Sequence, residues 1–313
     1  MSSGLRSFET YRYTDAFSGY PCIASVSQDE LIVGDWSGNL FCVTVSPFAV
    51  SNQAFVANKI CGDLVVNNTL RSVRTGTENA MLHAVATRGN HAAVWDREKD
   101  RVIHIVPNDG TVNAVAWLQN DEVLLLGTGD YPLSPGVAPK AKIEAWKPEK
   151  DESSFICRVA VPGVSVDAIT VSEGEDGNLD VIVFSGMKSQ DRGFISVLDN
   201  MLVPKAFFEL PFALVQHLEC TETLILVAHS GKVRAFQRND GSERWCRAGV
   251  EFTYDPIFHE VFLSSGELIS AEDGEAVETW PALPDCCCVS ARPEGGFVAV
   301  SETGVIGVWN VTS

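Results

Sequence analysis

The residues best spaced for chemistry in this sequence are Glu173-Gly174-Glu175-Asp176-Gly177-Asn178-Leu179-Asp180. Carboxylate and carbonyl oxygens at alternate positions around a glycine turn are the ligands calcium takes. The same residues also read as a polar hairpin between the apolar runs 166–171 and 179–184, and their spacing is not that of a known calcium loop. The hairpin is the reading adopted, with calcium as its alternative. The six histidines are scattered. His83, His104 and His217 fall in strand-like patterns, and no His-x-x-x-His or His/carboxylate spacing points to zinc. Ser230-Gly231-Lys232 lacks the upstream glycine of a phosphate-cradling loop, and no helical pattern follows Gly127-Thr128-Gly129. A Gly-x-Ser-x-Gly elbow is absent. No catalytic residue, cofactor or metal site is therefore expected.

The nine cysteines include the run Cys286-Cys287-Cys288 and show no Cys-x-x-Cys spacing, so neither a disulfide framework nor a zinc site is indicated. Three successive cysteines on a strand alternate faces and cannot converge on one metal. Most of the cysteines sit in apolar runs, where free cysteine acts as a small hydrophobe. The opening Met-Ser-Ser-Gly-Leu-Arg has no apolar core of a signal peptide. Together these features lead to an intracellular expectation, cytoplasmic or nuclear. With 23 Lys plus Arg against 41 Asp plus Glu, the formal net charge is -18. Such a surface repels phosphate backbones and anionic lipid, which excludes nucleic acid and membranes as expected partners. The excess serves solubility and permits a basic partner through electrostatic steering.

The elements that would position any site are repeats. Gly231 to Trp245 and Gly266 to Trp280 each read as a strand opened by Gly, a turn holding Asp-Gly, and a strand reaching Trp, both 14 positions long. Similar openings occur at Gly38, Gly89, Gly193 and Gly304, and one without the glycine at Ala141. The mean spacing is near 44, the period of a four-stranded propeller blade. Two short apolar runs precede each opening, bounded by turn residues as strands are, and no stretch carries sustained helical periodicity. The last unit offers only three strands, 287–291, 296–301 and 305–311. Its fourth can come from the orphan N-terminal strand at 7–13, which would leave no sheet edge open at the seam. The expected fold is all-β: one seven-bladed β-propeller over residues 1–313, with its last blade closed by the N-terminal strand.

On these residues the chain resembles the WD-repeat propellers. Trp95-Asp96 ends a strand as the family's dipeptide does, with Trp309-Asn310, Trp146-Lys147 and Leu198-Asp199 at equivalent places. The family's structural Asp would fall at Gly89, Ser230 and Thr303, and no Gly-His pair marks the repeats. The Asp-Gly turns leading to Trp245 and Trp280 resemble quinoprotein-type propellers instead, in which such a Trp docks between blades. The WD-repeat resemblance implies a scaffold that holds peptides or domains on one face.

Because strands alternate direction, all second-to-third connections emerge on one face. Two adjacent ones are long, 130–142 and 185–193, and an insertion at 58–70 falls on the same face between blades. Loop extensions cost little stability and are where repeat folds place binding groups. The expected partner-binding residues are Tyr131, Leu133, Lys140, Lys142, Met187, Lys188 and Arg192, a mixture of aromatic, Met and cations that suits a protein interface. The expected function is a non-enzymatic scaffold for one or more proteins, a monomeric propeller within a larger complex. The alternative is a ligand- or metal-binding propeller enzyme of the quinoprotein-like or lactonase-like type.

Overall fold

The computed structural model describes residues 4–14, 21–35, 39–52, 70–75, 82–87, 92–107, 110–118, 122–129, 140–148, 153–174, 176–187 and 190–312. Every described element is a β-strand. The N-terminal strand β1 (Gly4–Arg12) has no partner among the strands next to it in sequence. The first meander is β2 (Cys22–Ser25), β3 (Glu30–Gly34), β4 (Leu40–Val45) and β5 (Phe48–Asn52). The second is β6 (Leu70–Thr75), β7 (Leu82–Thr87), β8 (Ala92–Asp96) and β9 (Arg101–Ile105). The third is β10 (Thr111–Leu118), β11 (Val123–Gly129), β12 (Lys142–Pro148) and β13 (Ser153–Ala160). The fourth is β14 (Ser165–Glu173), β15 (Leu179–Met187), β16 (Arg192–Asp199) and β17 (Pro204–Leu210). The fifth is β18 (His217–Cys220), β19 (Leu224–His229), β20 (Lys232–Gln237) and β21 (Glu243–Ala248). The sixth is β22 (Phe252–Asp255), β23 (Glu260–Leu263), β24 (Glu267–Ser270) and β25 (Ala276–Thr279). Three strands remain, β26 (Cys286–Ala291), β27 (Phe297–Ser301) and β28 (Val305–Thr312).

Each meander is an antiparallel sheet in sequence order, and β1 completes the last as β1-β28-β27-β26. The third and fourth sheets are joined only by the pairing of Gly129 with Ser165. The second strands show why these sheets stack rather than lie open. Val123–Gly129 and Phe297–Ser301 are buried at every position, so both faces of the sheet are covered, and the residues run Val, Leu and Ala rather than alternating with polar ones. Fourth strands are mostly exposed, as at Ser153–Ala160, because they form the outer edge.

The apolar clusters close the circle. Among the described residues each cluster lies between two successive meanders. One joins Ala24 and Ile32 to Trp95, the next Val94 to Trp117 and Leu126, and the next Leu125 and Ile143 to Val181. The series continues with Phe184 to Ile225, Leu226 to Val261, and Phe262 to Phe297. The seventh cluster brings Ile23, Leu31 and Val43 of the first meander against Val298, Val300 and Ile306 of the last. A sheet that meets both neighbours this way, the last meeting the first, is a seven-bladed propeller.

The expected closing strand pairs with β28 from Gly4 to Arg12, against Thr312 to Val305. The strands at or after the seven predicted openings are all third strands, with Gly38 and Gly89 themselves outside the described residues. The connection expected at 185–193 is a correction: β15 runs to Met187 and β16 starts at Arg192, and the two residues pair. Its glycines belong to strands, where neighbouring backbone comes too close for a side chain. A Cβ on Gly186 would lie 2.1 Å from the Ala213 carbonyl, and one on Gly193 would lie 2.3 Å from that of Phe212.

Candidate functional site

Every blade begins with its innermost strand, so the first strands β2, β6, β10, β14, β18, β22 and β26 run the same way around the central channel. Their starts share one mouth, with the fourth-to-first and second-to-third connections on the same face. A cavity of about 510 Å³ opens there, and its polar lining includes Asn113, Asp167, His217, Glu251, Cys287 and Glu302. A second cavity of about 510 Å³, lined by strand ends such as Ser25, Ser172 and Ser290, marks the opposite mouth.

Backbone irregularities put three of these side chains in place. The first strands carry a register shift one or two residues from their starts, at Leu70/Ser72, Val112/Ala114, Val166/Ala168 and Cys286/Cys288. A bulge inserts one residue and re-aims side chains. The residues passed over at the last three are Asn113, Asp167 and Cys287, all of which line the mouth. The bulge also amends the expectation for the cysteine run. Cys286 packs on the cluster between the sixth and seventh blades, while Cys288 packs on the one between the seventh and first. A regular strand would have put both on one side.

The polar groups of the mouth are connected. Asn113 Nδ2 donates to Ser165 Oγ at 3.0 Å, and Ser165 Oγ donates to Asp167 Oδ1 at 3.1 Å. His217 Nε2 lies 2.8 Å from Glu219 Oε1. Glu219, which lines the opposite mouth, also accepts from Thr253 Oγ1 at 3.1 Å, and Thr253 Oγ1 accepts the Ala291 amide at 3.0 Å, which links the fifth, sixth and seventh blades. Burial pushes the Glu251 carboxyl up to about 7; nearby His217 opposes the rise and Glu219 adds to it. Burial also pushes the Cys286 thiol up to about 12 and raises those of Cys287 and Cys288. These thiols therefore stay protonated near neutral pH and are poor nucleophiles.

The Glu173–Asp180 string is the hairpin it resembles. The Gly174 amide donates to Asn178 O at 2.8 Å and the Gly177 amide to Gly174 O at 2.9 Å. Asp180 is engaged by Lys205 at 2.7 Å and by Arg238 at 3.0 Å. Arg238 is buried and also donates to Ser172 Oγ and to the carbonyls of Glu173, Thr221 and Glu222. The acidic string is thus half of a clasp between the fourth and fifth blades. His83 is buried beside Trp95, their rings 5.4 Å apart, and burial pushes it down to about 3.

Of the residues expected to bind a partner, Tyr131, Leu133 and Lys188 lie outside the described residues, as does most of the 58–70 insertion. Lys140 is exposed just before β12, and Lys142 is part-buried within it. Met187 and Arg192 face each other at the tip of the β15–β16 hairpin, where Arg192 Nε lies 3.3 Å from Glu209 Oε1. These four come from adjacent blades on the face of the channel mouth.

Trp245 docks between blades as its Asp-Gly context leads one to expect. Its Nε1 donates to Ala271 O of the next blade at 2.9 Å, and its ring lies against Gly274. Trp280 fills the next interface, with Phe262 and Phe297 each 5.8 Å away.

No protein-family profile matches the chain, and no curated protein sequence does. Among solved structures it is similar to the WD40 β-propeller domain of Doa1, with a TM-score of 0.65 at 13% identity, over 96% of this chain and 97% of that one. The chain has the WD40 propeller fold. In this propeller a Trp245-type dock coexists with Trp95 and Trp309 at WD-like positions, so both packing devices serve one ring. Among the described residues, no group of three His, Cys, Asp or Glu side chains is arranged to hold a metal, and no helix is long and apolar enough to cross a membrane.

The mouth lining leaves no mark in the sequence. Asn113, Asp167, His217 and Glu251 carry no motif, and only the register of the first strands brings them together.

Proposed function

We propose that this propeller, a single domain over residues 1–313, is a non-enzymatic intracellular scaffold that holds a protein partner within a complex. The partner sits on the face that carries the channel mouth and the second-to-third connections. What carries this reading is the convergence of both features on one face, where Lys140, Met187 and Arg192 stand on blades next to an acidic mouth. Exposed Leu214 and Val250, on two successive fourth-to-first connections, flank that mouth, and apolar side chains rimmed by polar ones suit a protein contact. At the mouth Asn113 bridges to Ser165 of the next blade and Ser165 holds Asp167, an arrangement that serves recognition better than turnover. The net charge of -18 favours a basic protein over nucleic acid or an anionic membrane.

The test is a fivefold variant, with Tyr131→Ala, Lys140→Glu, Met187→Ala, Lys188→Glu and Arg192→Glu, compared with the parent in affinity capture from the native source. Captured partner should be lost while the melting temperature stays within a few degrees, because the Arg192–Glu209 pair is exposed and such pairs contribute about 0–1 kcal/mol. Undiminished capture would remove this face from consideration.

A further inference from the structure

We propose that Ser230 is a site of covalent acylation, with His229 as the base that activates its hydroxyl, and that the donor is a thioester or other activated ester of an apolar acyl chain. The inference goes beyond the scaffold reading and stands without it.

Ser230 and Gly231 form the two-residue connection between β19 and β20, with His229 and Lys232 paired across it. Both turn residues have positive φ, 48° and 72°, the backbone of a type I′ hairpin turn, and Ser230 is exposed at its tip. Its Oγ donates to His229 Nε2 at 3.0 Å. On the other side of the ring, His229 Nδ1 lies 2.6 Å from Leu214 O. A carbonyl only accepts, so Nδ1 carries the ring proton and the neutral imidazole presents the Nε2 lone pair to the hydroxyl. Stacking on buried Phe212, with centroids 4.3 Å and planes 13° apart, holds the ring in that pose. A nucleophile bonded to a base that a third group orients is the arrangement of an activated serine. The Gly231 amide, next along the chain, donates to no described residue, and it is the donor available to the oxyanion of an attacked carbonyl.

The surroundings set the chemistry of the donor. Leu214, whose carbonyl orients the histidine, is exposed, and so is Val250, which follows Gly249, whose amide donates to Gly231 O at 3.0 Å. Two exposed aliphatic side chains are thus tied to the turn, one from the connection entering the fifth blade and one from the connection leaving it, and they suit an alkyl chain. In the reaction with a thioester, Ser230 Oγ attacks the acyl carbonyl and its proton passes to His229 Nε2. The carbon–sulfur bond breaks, the departing sulfur takes that proton and leaves as a thiol, and the acyl group remains as a serine ester. The histidine is backed by a carbonyl and not by a carboxylate, so no negative charge stabilises an imidazolium. Only a good leaving group departs under that limit. The serine ester that forms is an alkyl ester with a poor leaving group, so it persists, and the chain is modified once rather than turning over.

Incubation of the full chain with p-nitrophenyl octanoate or p-nitrophenyl acetate, followed by intact mass and peptide mapping, tests this. One octanoyl group per chain should appear, on Ser230, and the octanoate should react faster than the acetate. Ser230→Gly removes the hydroxyl and places at that position the residue that adopts positive φ without cost, so it should fold as the parent does and lose the adduct. His229→Gln should slow acylation of Ser230 by about a hundredfold, the low end of what a general base contributes, with thermal unfolding of both variants verifying the fold. Octanoyl groups confined to lysines or to exposed Cys246, a rate at Ser230 no greater than at other exposed serines, or an unaltered rate in His229→Gln would overturn the proposal. Equal rates for the two esters would overturn the apolar donor.

Discussion

A carboxylic acid taken out of water keeps its proton, and Glu251 shows what that does to the folded chain. Unfolded, it titrates near 4.5; burial moves it to about 7 in the propeller. Between those values the folded chain holds a proton that the unfolded chain has lost, so stability falls as pH rises from 4.5 to 7 and levels off above. The full effect is about 3 kcal/mol at 1.36 kcal/mol per pH unit. Glu251→Gln copies the protonated form and removes the penalty. Its melting temperature should exceed the parent's at pH 8, and the gap should close near pH 4.5. His83 and Asp255 titrate abnormally in both proteins and cancel in the difference. A gap of constant size across that range would mean that Glu251 is not buried as described. None of this was readable from the sequence, where Glu251 is one acidic residue among many. His217 was readable only as a residue within a strand, which it is, and its link to Glu219 depends on a side chain two positions along the same edge of the channel.

Elements were easier to read than their irregularities. A strand opened by Gly or Ala, preceded by two apolar runs, recurs because each blade solves the same packing problem, and the strand at or after each predicted opening is a third strand. Bulges at Asn113, Asp167 and Cys287 leave no such trace, since the inserted residue is of ordinary type and only the partner strand reveals the shift. Gly186 and Gly193 misled for a related reason. Glycine marks a turn or a close approach, and the sequence does not say which. Where spacing and type coincide the reading goes further, as at Trp245, whose indole lies on the Gly274 backbone with a Cβ position only 2.8 Å from the ring. Phe208 lies against Gly241 in the same way one blade earlier, so the dock is a repeated element. Trp245→Ala should cost about 3–5 kcal/mol, the range for removing a buried large aromatic. Gly274→Ala should also destabilise, because its φ of 70° disfavours a side chain by about 1–2 kcal/mol before the ring is displaced. Urea unfolding of both variants measures this. Wild-type midpoints would show that the Trp245 dock contributes nothing.

At the scale of the whole molecule the ring has one seam, and three devices hold it. β1 pairs with β28 along its length. Phe8 of β1 stacks on Trp309 with centroids 4.7 Å apart. Buried Arg292 of the last blade donates through Nε to Gln28 O of the first at 2.8 Å, and through Nη1 to Asn310 at 2.7 Å. Removing residues 1–12 takes away the first two devices and exposes β28 as a long unpaired edge, which invites pairing with another chain. The truncated protein should melt lower than the parent and run as dimers or larger species in size-exclusion chromatography. That outcome alone would not separate a closed ring from simple loss of contacts, but the pairing of Gly4 with Thr312 provides a second arm. Because these ends are adjacent across an antiparallel pair, an Asn-Gly turn can join them, and the chain can be reopened at Asn239 in the turn between β20 and β21. The fifth blade then becomes the one closed by strands from both termini, while the seventh becomes continuous. If closure is a property of the ring rather than of one end, this permuted chain should stay monomeric and melt near the parent. A permuted chain that aggregates as the truncated one does would locate the stability in the native ends themselves.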